Sequence, residues 1–528
     1  MKRALFSVTD KTGLEAFGKG LQNLFPKLEM LASGGTAKML EDVGVSCKPI
    51  SQQTQFPECF GGRVKTLHPA ILGGILQRRG VDDEEALGLN IAPIDLVVCN
   101  LYRFDPKKKM EELADSMDIG GSTMIRAACK NFSSVAVIVD PNDYPAILEE
   151  LSTLKTLSRE TRFRLAVKAM RMSAEYEGQI AHAFAEQSQS QIRLENERKL
   201  SYGENPDQEG WVYSFPNDEG IASSKVLGGK PLSYNNFEDA SQAFYAMQRI
   251  FVQDTPAAAV VKHGGLCGYA TGASLEQAFH RAWDGDSKSA FGSIIALSQP
   301  VTESFCESLK SHFVEVVLAP SFSPEFLAWA GATKPSLRLL QVRFDALSPK
   351  LYRGISGGML VQTPKKDLFR FSENWLLPIG SNQVGVVTKR LPAPELANLF
   401  RFCIAAVQSV KSNAIVLARE YAPSQYQLIG VGGGQPNRID SLQRLALPKT
   451  IENLLHEDSK QDIRQAMGQL VLASDGFFPF ADSIQAAADA GIQYFMQPGG
   501  SIRDAEVIQE ADRRGLCMIF TGQRYFSH

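Results

Sequence analysis

Over roughly the first 150 residues, short apolar runs alternate with amphipathic stretches. Ala4 to Val8 predicts a strand, Leu14 to Leu24 a helix, Leu28 to Ala32 a strand and Thr36 to Val43 a helix. Asp95 to Asn100 and Val135 to Asp140 are further β-rich runs that end in polar residues. This alternation predicts a parallel sheet with helices on its faces. Ligands bind such sheets beyond the carboxyl ends of the strands. Thr9-Asp10-Lys11, Ser33 to Thr36 and Asn100-Leu101-Tyr102 all follow strand ends. Residues 157–198 read as polar and helical, with Arg162, Arg164, Lys168 and Arg171 among alanines, which suggests a domain-bridging helix pair. Leu200 to Pro206 contains Gly203 and Pro206 and marks a loop where a new region starts. Residues 366–395, with Pro378, Pro392 and Pro394, read as an irregular connection between two subdomains. No internal sequence repeat is visible.

The chain has 528 residues, too many for one ordinary core, so on the order of two to four domains are expected. A formal charge of −3 argues against general nucleic-acid binding, which needs a basic surface. The eight cysteines are dispersed with no Cys-x-x-Cys pair, which argues against structural zinc and for free thiols in a reducing compartment. The apolar run near Met1 is broken at once by Ser7, Thr9, Asp10 and Lys11, unlike a signal peptide or membrane span. A cytoplasmic location is expected.

Ser33-Gly34-Gly35-Thr36 precedes a predicted helix, where backbone N–H groups and the helix dipole favour a phosphate. A simple capped helix start is the plainer alternative. Arg63 and Lys65, in Gly61 to Pro69, would share one side of an extended segment. A solvated basic loop would look the same, and His68 could equally be structural. Asp118-Ile119-Gly120-Gly121-Ser122-Thr123 combines an acid, paired glycines and hydroxyls, with Arg126 and Lys130 following at helical spacing. Far down the chain, Val260 to Gly268 is a β-rich run containing Lys262-His263 and then glycines. An ammonium beside an imidazole disfavours a second positive charge, leaving a neutral general base.

Phe6 to Leu14, Ser33 to Ala37, Gly61 to Pro69, Asn100 to Tyr102 and Asp118 to Gly121 resemble, in family order, the cyclohydrolase half of the bifunctional AICAR transformylase/IMP cyclohydrolase family. Leu200 to Gln208, Leu232 to Asn236, Lys262-His263, Ser289 to Gly292, Lys411 to Ile415, Gly432 to Gln435, Arg438, Ser474 to Phe480, Gln497 to Ser501 and His528 resemble its transformylase half. The resemblance implies an α/β fold: an N-terminal methylglyoxal-synthase-like parallel-sheet domain with a helical linker (1–197), then two cytidine-deaminase-like α/β subdomains (198–375 and 376–528) without their zinc. It implies formylation of AICAR with 10-formyltetrahydrofolate as cosubstrate, and closure of formyl-AICAR to IMP. It also implies no metal and a homodimer, with neither nucleic acid nor membrane as a partner. Lys65, Tyr102, Asp118 and Lys130 would be the cyclohydrolase catalytic set, with proton transfer by Asp118 and Lys130 and oxyanion stabilisation by Lys65 and Tyr102. Ser7, Lys11, Ser33, Gly34, Gly35 and Thr36 would hold the ribose phosphate. Arg63 and Thr66 would line the base end, with Asn100, Gly120 and Gly121 as further substrate contacts. For formyl transfer, His263 would be the base, Lys262 the acid or charge stabiliser, and Asn413 a donor to the developing formyl oxyanion. Tyr202 and Arg524 would touch substrate. Arg438, Phe477, Phe480 and Asp482 would shape the folate end.

The chain departs from the family pattern at several positions. Leu72 replaces a frequent histidine, Ser201 an arginine expected on the AICAR phosphate, and Asp207 a histidine. Gly264-Gly265-Leu266 replaces Thr-Asn-Pro, which is expected to loosen the turn after the catalytic pair. Tyr525 and Ser527 stand where histidine and arginine are common. Two alternatives therefore stand beside the bifunctional reading. One is a cyclohydrolase whose transformylase half has become weak or structural; the other is a regulatory protein that binds purine nucleotides.

Overall fold

The computed structural model describes residues 1–57, 59–102, 105, 110–184, 192–216, 218–250, 255–346, 348–364, 376 and 384–528. It divides into two compact units, Met1–Ile192 and Arg193–His528. The expected 375/376 boundary and most of the 366–395 connection lie outside the described residues. No helix among the described residues is long and apolar enough to cross a membrane.

The first unit is built on β1 (Arg3–Ser7), β2 (Glu29–Ala32), β3 (Lys48–Pro49), β4 (Leu96–Cys99) and β5 (Ala136–Ile138). They form a parallel sheet in the order β3-β2-β1-β4-β5. Side chains alternate through it. Ala4 and Phe6 join Leu14, Phe17 and Leu21 of helix Leu14–Leu24 in one core. Leu5 joins Ile71, Met124 and Ile125 in another. The chain winds outward in one direction through β3 and returns to place β4 on the other side of β1, so the strand order reverses between β1 and β4. Ser7 lies opposite Cys99 and Phe6 opposite Ala32, so the three polar loops leave the sheet side by side at that switch point.

The expected helix pair over 157–198 is instead a single 26-residue helix, Arg159–Phe184. It buries Leu165, Ala166, Ala169, Ser173 and Tyr176. Arg162 donates to the carbonyls of Phe132 and Ser133, fixing the helix against the first unit. Its small residues cover a face of this domain, and Lys168 also turns inward, to Asp140 and Asp143.

The second unit begins with β6 (Glu195–Lys199), β7 (Trp211–Ser214), β8 (Lys225–Gly228), β9 (Ala257–Lys262), β10 (Gly265–Thr271), β11 (Ser293–Leu297), β12 (Val314–Ala319) and β13 (Arg338–Gln341). It continues with β14 (Leu351–Ile355), β15 (Gly358–Gln362), β16 (Gly385–Val386), β17 (Ile415–Ala422), β18 (Gln425–Gly432), β19 (Val471–Ser474), β20 (Tyr494–Gln497) and β21 (Cys517–Phe520). Twelve of these make one sheet, in the order β16-β21-β20-β19-β17-β18-β10-β9-β11-β12-β13-β8. Each half is an antiparallel hairpin (β9–β10 or β17–β18) followed by three mutually parallel strands and closed by an antiparallel edge strand. The two α/β subdomains expected here thus share one continuous sheet, and they repeat a topology that leaves no repeat in the sequence. Helices Tyr234–Arg249 and Ala397–Val407 bury a common core on one face. On the opposite face each half has its own core, around Phe279, Phe305 and Phe326 in one and Leu447, Ile484 and Val507 in the other.

Candidate functional sites

In the first unit the helix Gly34–Asp42 starts directly behind β2. A Cβ on Gly34 would lie 3.5 Å from the Lys65 Nζ, and one on Gly35 3.7 Å from the Lys11 Nζ. Two ammonium groups therefore bracket the glycine pair at a helix N-terminus, an arrangement suited to an anion. Thr36 is turned elsewhere. Its hydroxyl accepts from the Val8 N–H at 3.2 Å and donates to the Val8 carbonyl at 3.2 Å, and Ser33 Oγ lies 3.3 Å away. The Thr36 hydroxyl thus ties the helix to the end of β1. Asn100 Oδ1 accepts from the N–H groups of Thr9 and Asp10, and its Nδ2 donates to the Asp10 carbonyl, so it shapes the loop carrying Lys11.

Asp118 caps helix Ile119–Lys130, accepting from the Gly121 N–H at 2.7 Å. Burial pushes its carboxyl above the ordinary range, against the backbone N–H groups of Gly121 and Tyr102. The glycines are required here. A Cβ on Gly120 would enter the Thr66 hydroxyl, and one on Gly121 would sit 2.8 Å from the Asp118 carboxylate. Thr66 is buried and Tyr102 is exposed. Arg63 pairs with Asp115 on the surface, and His68 Nδ1 accepts from Ala70 N–H, capping helix Pro69–Leu76. A cavity of about 200 Å³, lined by Phe56, Val64, Leu67 and His68 among others, adjoins Lys65. Lys130 stands at the other end of its 12-residue helix. At 1.5 Å per residue that is about 18 Å from Asp118, so the expected proton exchange between the two is not available within one chain. Tyr176 was not foreseen: its hydroxyl accepts from the Asp118 N–H at 2.8 Å, so the long helix supports the acid.

In the second unit the strand register brings distant segments to one end of the sheet. Lys262 faces Gly265, Ile415 faces both Gly432 and Ser474, and β20 and β21 run parallel to β19. The 262–265 turn, Lys411 to Asn413, Gly433 to Arg438 and the segments after β19 and β21 therefore emerge together. Lys262 Nζ donates to the Phe291 carbonyl at 2.5 Å. His263 has φ 52° and Gly264 φ 69°. The turn expected to be loose is a two-residue hairpin turn with both central residues left-handed, a geometry that glycine favours at the second position. A Cβ on Gly264 would come 3.9 Å from the Lys411 Nζ, a cation the sequence reading did not place in the site.

Asn413 Nδ2 donates to the carbonyls of Gln435 and Pro436, at 3.0 and 3.1 Å. Both of its N–H donors are thus spent on backbone carbonyls, and the remaining polar side-chain atom, Oδ1, is an acceptor. Arg438 is buried, with Nη2 2.7 Å from the Asp475 carboxylate and Nη1 donating to the Phe477 carbonyl. Asp475 also accepts from the Ser412 hydroxyl at 2.5 Å. Arg438 thus shapes the wall from behind. Phe480 is exposed beneath Arg503, and Asp482 is exposed at the start of helix Asp482–Asp489. Arg524 lies over the Phe526 ring. Tyr202 and Ser201 are exposed on a loop closed by Gly203 N–H to the Gln208 carbonyl.

The chain thus carries a cation-bearing cluster at a strand-end loop region in each of its two α/β units, the arrangement of a two-site α/β enzyme. Comparison makes this specific. Residues 128–449 match the family model described as AICARFT/IMPCHase bienzyme, and residues 13–123 that of the MGS-like domain. The "Bifunctional purine biosynthesis protein PurH" of Myxococcus xanthus is 40% identical over 99% of this chain and 100% of its own. Those of Streptococcus agalactiae and Streptococcus mutans are 39% identical over 100% of both chains. The chain belongs to the AICARFT/IMPCHase bienzyme family. It is an enzyme of purine biosynthesis with AICAR formyltransferase and IMP cyclohydrolase activities.

Proposed function

We propose that the first unit closes formyl-AICAR to IMP and the second forms formyl-AICAR from AICAR and 10-formyltetrahydrofolate, in a homodimer. In the second unit the 5-amino nitrogen attacks the formyl carbon and folate N10 leaves. The proton lost by the amine passes through His263 to that nitrogen. Lys262 stabilises the oxyanion, and Asn413 Oδ1 accepts from the attacking amine, which orients it. Arg438 and Phe477 form the wall of the folate end, with Phe480 and Asp482 at its rim. Tyr202 and Arg524 contact AICAR. In the first unit Lys11 holds the ribose phosphate at Gly34-Gly35. Asp118 takes the carboxamide proton as that nitrogen attacks the formyl carbon, and Lys65 and Tyr102 stabilise the oxyanion; Asp118 returns its proton to that oxygen, which leaves as water with the former formamide N–H proton as the C=N bond forms.

The observation that carries this reading is the convergence of Lys262-His263 with Asn413 at one end of a sheet, although they are 150 residues apart in sequence. Two absorbance assays test it, one with AICAR and 10-formyltetrahydrofolate and one with formyl-AICAR. His263→Ala should abolish only the first activity and Lys65→Ala should cripple only the second. Full formyl transfer by His263→Ala, or full cyclisation by Lys65→Ala, would overturn the reading.

A further inference from the structure

The hairpin that carries Lys262 and His263 joins β9 to β10 through two residues, His263 and Gly264, both at positive φ. Glycine adopts that conformation freely. For residues with a side chain it is uncommon, histidine being one of the more tolerant, and surrounding contacts help to hold it. The structure supplies one such hold. Asp239, on helix Tyr234–Arg249, accepts from the His263 N–H with Oδ2 at 3.1 Å and from the Gly264 N–H with Oδ1 at 2.6 Å. One carboxylate thus grips two successive amides of the turn.

The same helix carries Asn235 one turn earlier, on the same side. Its Nδ2 donates to the Glu204 carbonyl at 3.3 Å, in the loop that bears Ser201 and Tyr202. A single helix thereby sets the distance between the substrate loop and the acid–base pair. Among the described residues, Asp239 is hydrogen-bonded to these two backbone amides and not to the imidazole or the ammonium.

We propose that Asp239 is a positioning residue for formyl transfer, fixing where the His263 imidazole and the Lys262 ammonium stand by clamping the 263–264 backbone. The proposal rests on the roles given above to Lys262 and His263. Gly264 suits the left-handed second position of this turn, and its N–H is the shorter of the two bonds to Asp239.

The test uses the full-length enzyme and both assays. Asp239→Ala removes both acceptors and Asp239→Asn keeps one. A displacement of about 1 Å can cost about 10²-fold in rate. Asp239→Ala should therefore lower the formyl-transfer kcat by about 10²-fold and Asp239→Asn by about tenfold, with the AICAR KM within about threefold of the parent. Cyclisation of formyl-AICAR, carried out in the other unit, should be unchanged. If Asp239→Ala does not fold, Asp239→Asn decides: a lower kcat at an unchanged unfolding midpoint supports the clamp. An unchanged kcat, or a loss expressed in KM alone, overturns it. His263→Ala is measured alongside. If that variant keeps formyl transfer, the catalytic assignment has failed; if it loses activity while the Asp239 variants keep theirs, only the positioning role has failed.

Discussion

Arg438 and Asp475 meet at 2.7 Å with both side chains withdrawn from solvent. The carboxylate also accepts from Ser412, whose N–H donates to the Ser527 carbonyl, and the Tyr525 N–H donates to the Asp475 carbonyl. One buried charge thus ties together the segment before Asn413, the chain after β19 and the final residues. Removing one member of such a pair strands the other, which costs about 3–5 kcal/mol. Arg438→Met should destabilise the second unit by that order and abolish formyl transfer. No tryptophan precedes residue 193 and Trp211, Trp283 and Trp329 lie in that unit, so denaturant unfolding followed by tryptophan fluorescence does not report the first unit.

Asp118 gives a pH prediction. Burial raises its carboxyl pKa. A carboxyl whose folded value exceeds its unfolded value stabilises the fold at low pH, and that contribution is lost as pH rises through the folded value. Once ionised, Asp118 therefore works against folding. Asp118→Asn keeps a capping oxygen and should unfold no more readily than the parent at pH 7, while losing cyclisation. The parent's cyclisation rate should climb with pH through a midpoint above the usual carboxylate range. Thermal midpoints and rates measured from pH 4 to 8 check both.

Lys65 stands at the helix start beside Gly34. Losing one preorganised oxyanion donor costs about 10²–10³-fold in kcat. Lys65→Ala should lose that much of the turnover of formyl-AICAR and none of the formyl transfer from folate. Single-turnover cyclisation assays separate this chemical effect from weakened phosphate binding.

Ser201 lies exposed on the loop closed by Gly203 and Gln208 and tethered by Asn235. An arginine there would add a charge-assisted contact to phosphate, about 1.5–3 kcal/mol, or ten- to a hundred-fold in affinity. Ser201→Arg should lower the AICAR KM by that factor with little change in kcat. Steady-state kinetics at saturating folate donor measures it.

The first domain was legible because its periodicities are clean. Leu14, Phe17 and Leu21 recur at helical spacing and bury one face, and the observed helix spans the predicted Leu14–Leu24. The long helix was read as two because its small residues and dispersed charges give a weak stripe, although Ala166 and Ala169 are buried against the domain. The duplication in the second unit stayed hidden because the halves share hydrogen-bonding topology rather than residues: one hairpin turns on His263-Gly264, the other on Pro423-Ser424. The contacts of Asp239, Tyr176, Ser412 and Asp475 were not legible, because each acts on a backbone or side-chain group distant in sequence, and no local pattern shows that. Which end of the Asn413 amide is free could not be read from sequence, since only the carbonyls of Gln435 and Pro436 show that its N–H groups are taken.

The two halves of the large sheet are sewn together along β10 and β18 by Ala270 opposite Gln427, Tyr426 N–H to Thr271 Oγ1, and Gln427 Nε2 to the Arg281 carbonyl. A fragment ending before β17 would present β10 as a naked border of unpaired amides and carbonyls, inviting fibril-like stacking. Neither half should survive excision as an independent soluble protein, so a minimal transformylase must be carved around the seam and never through it.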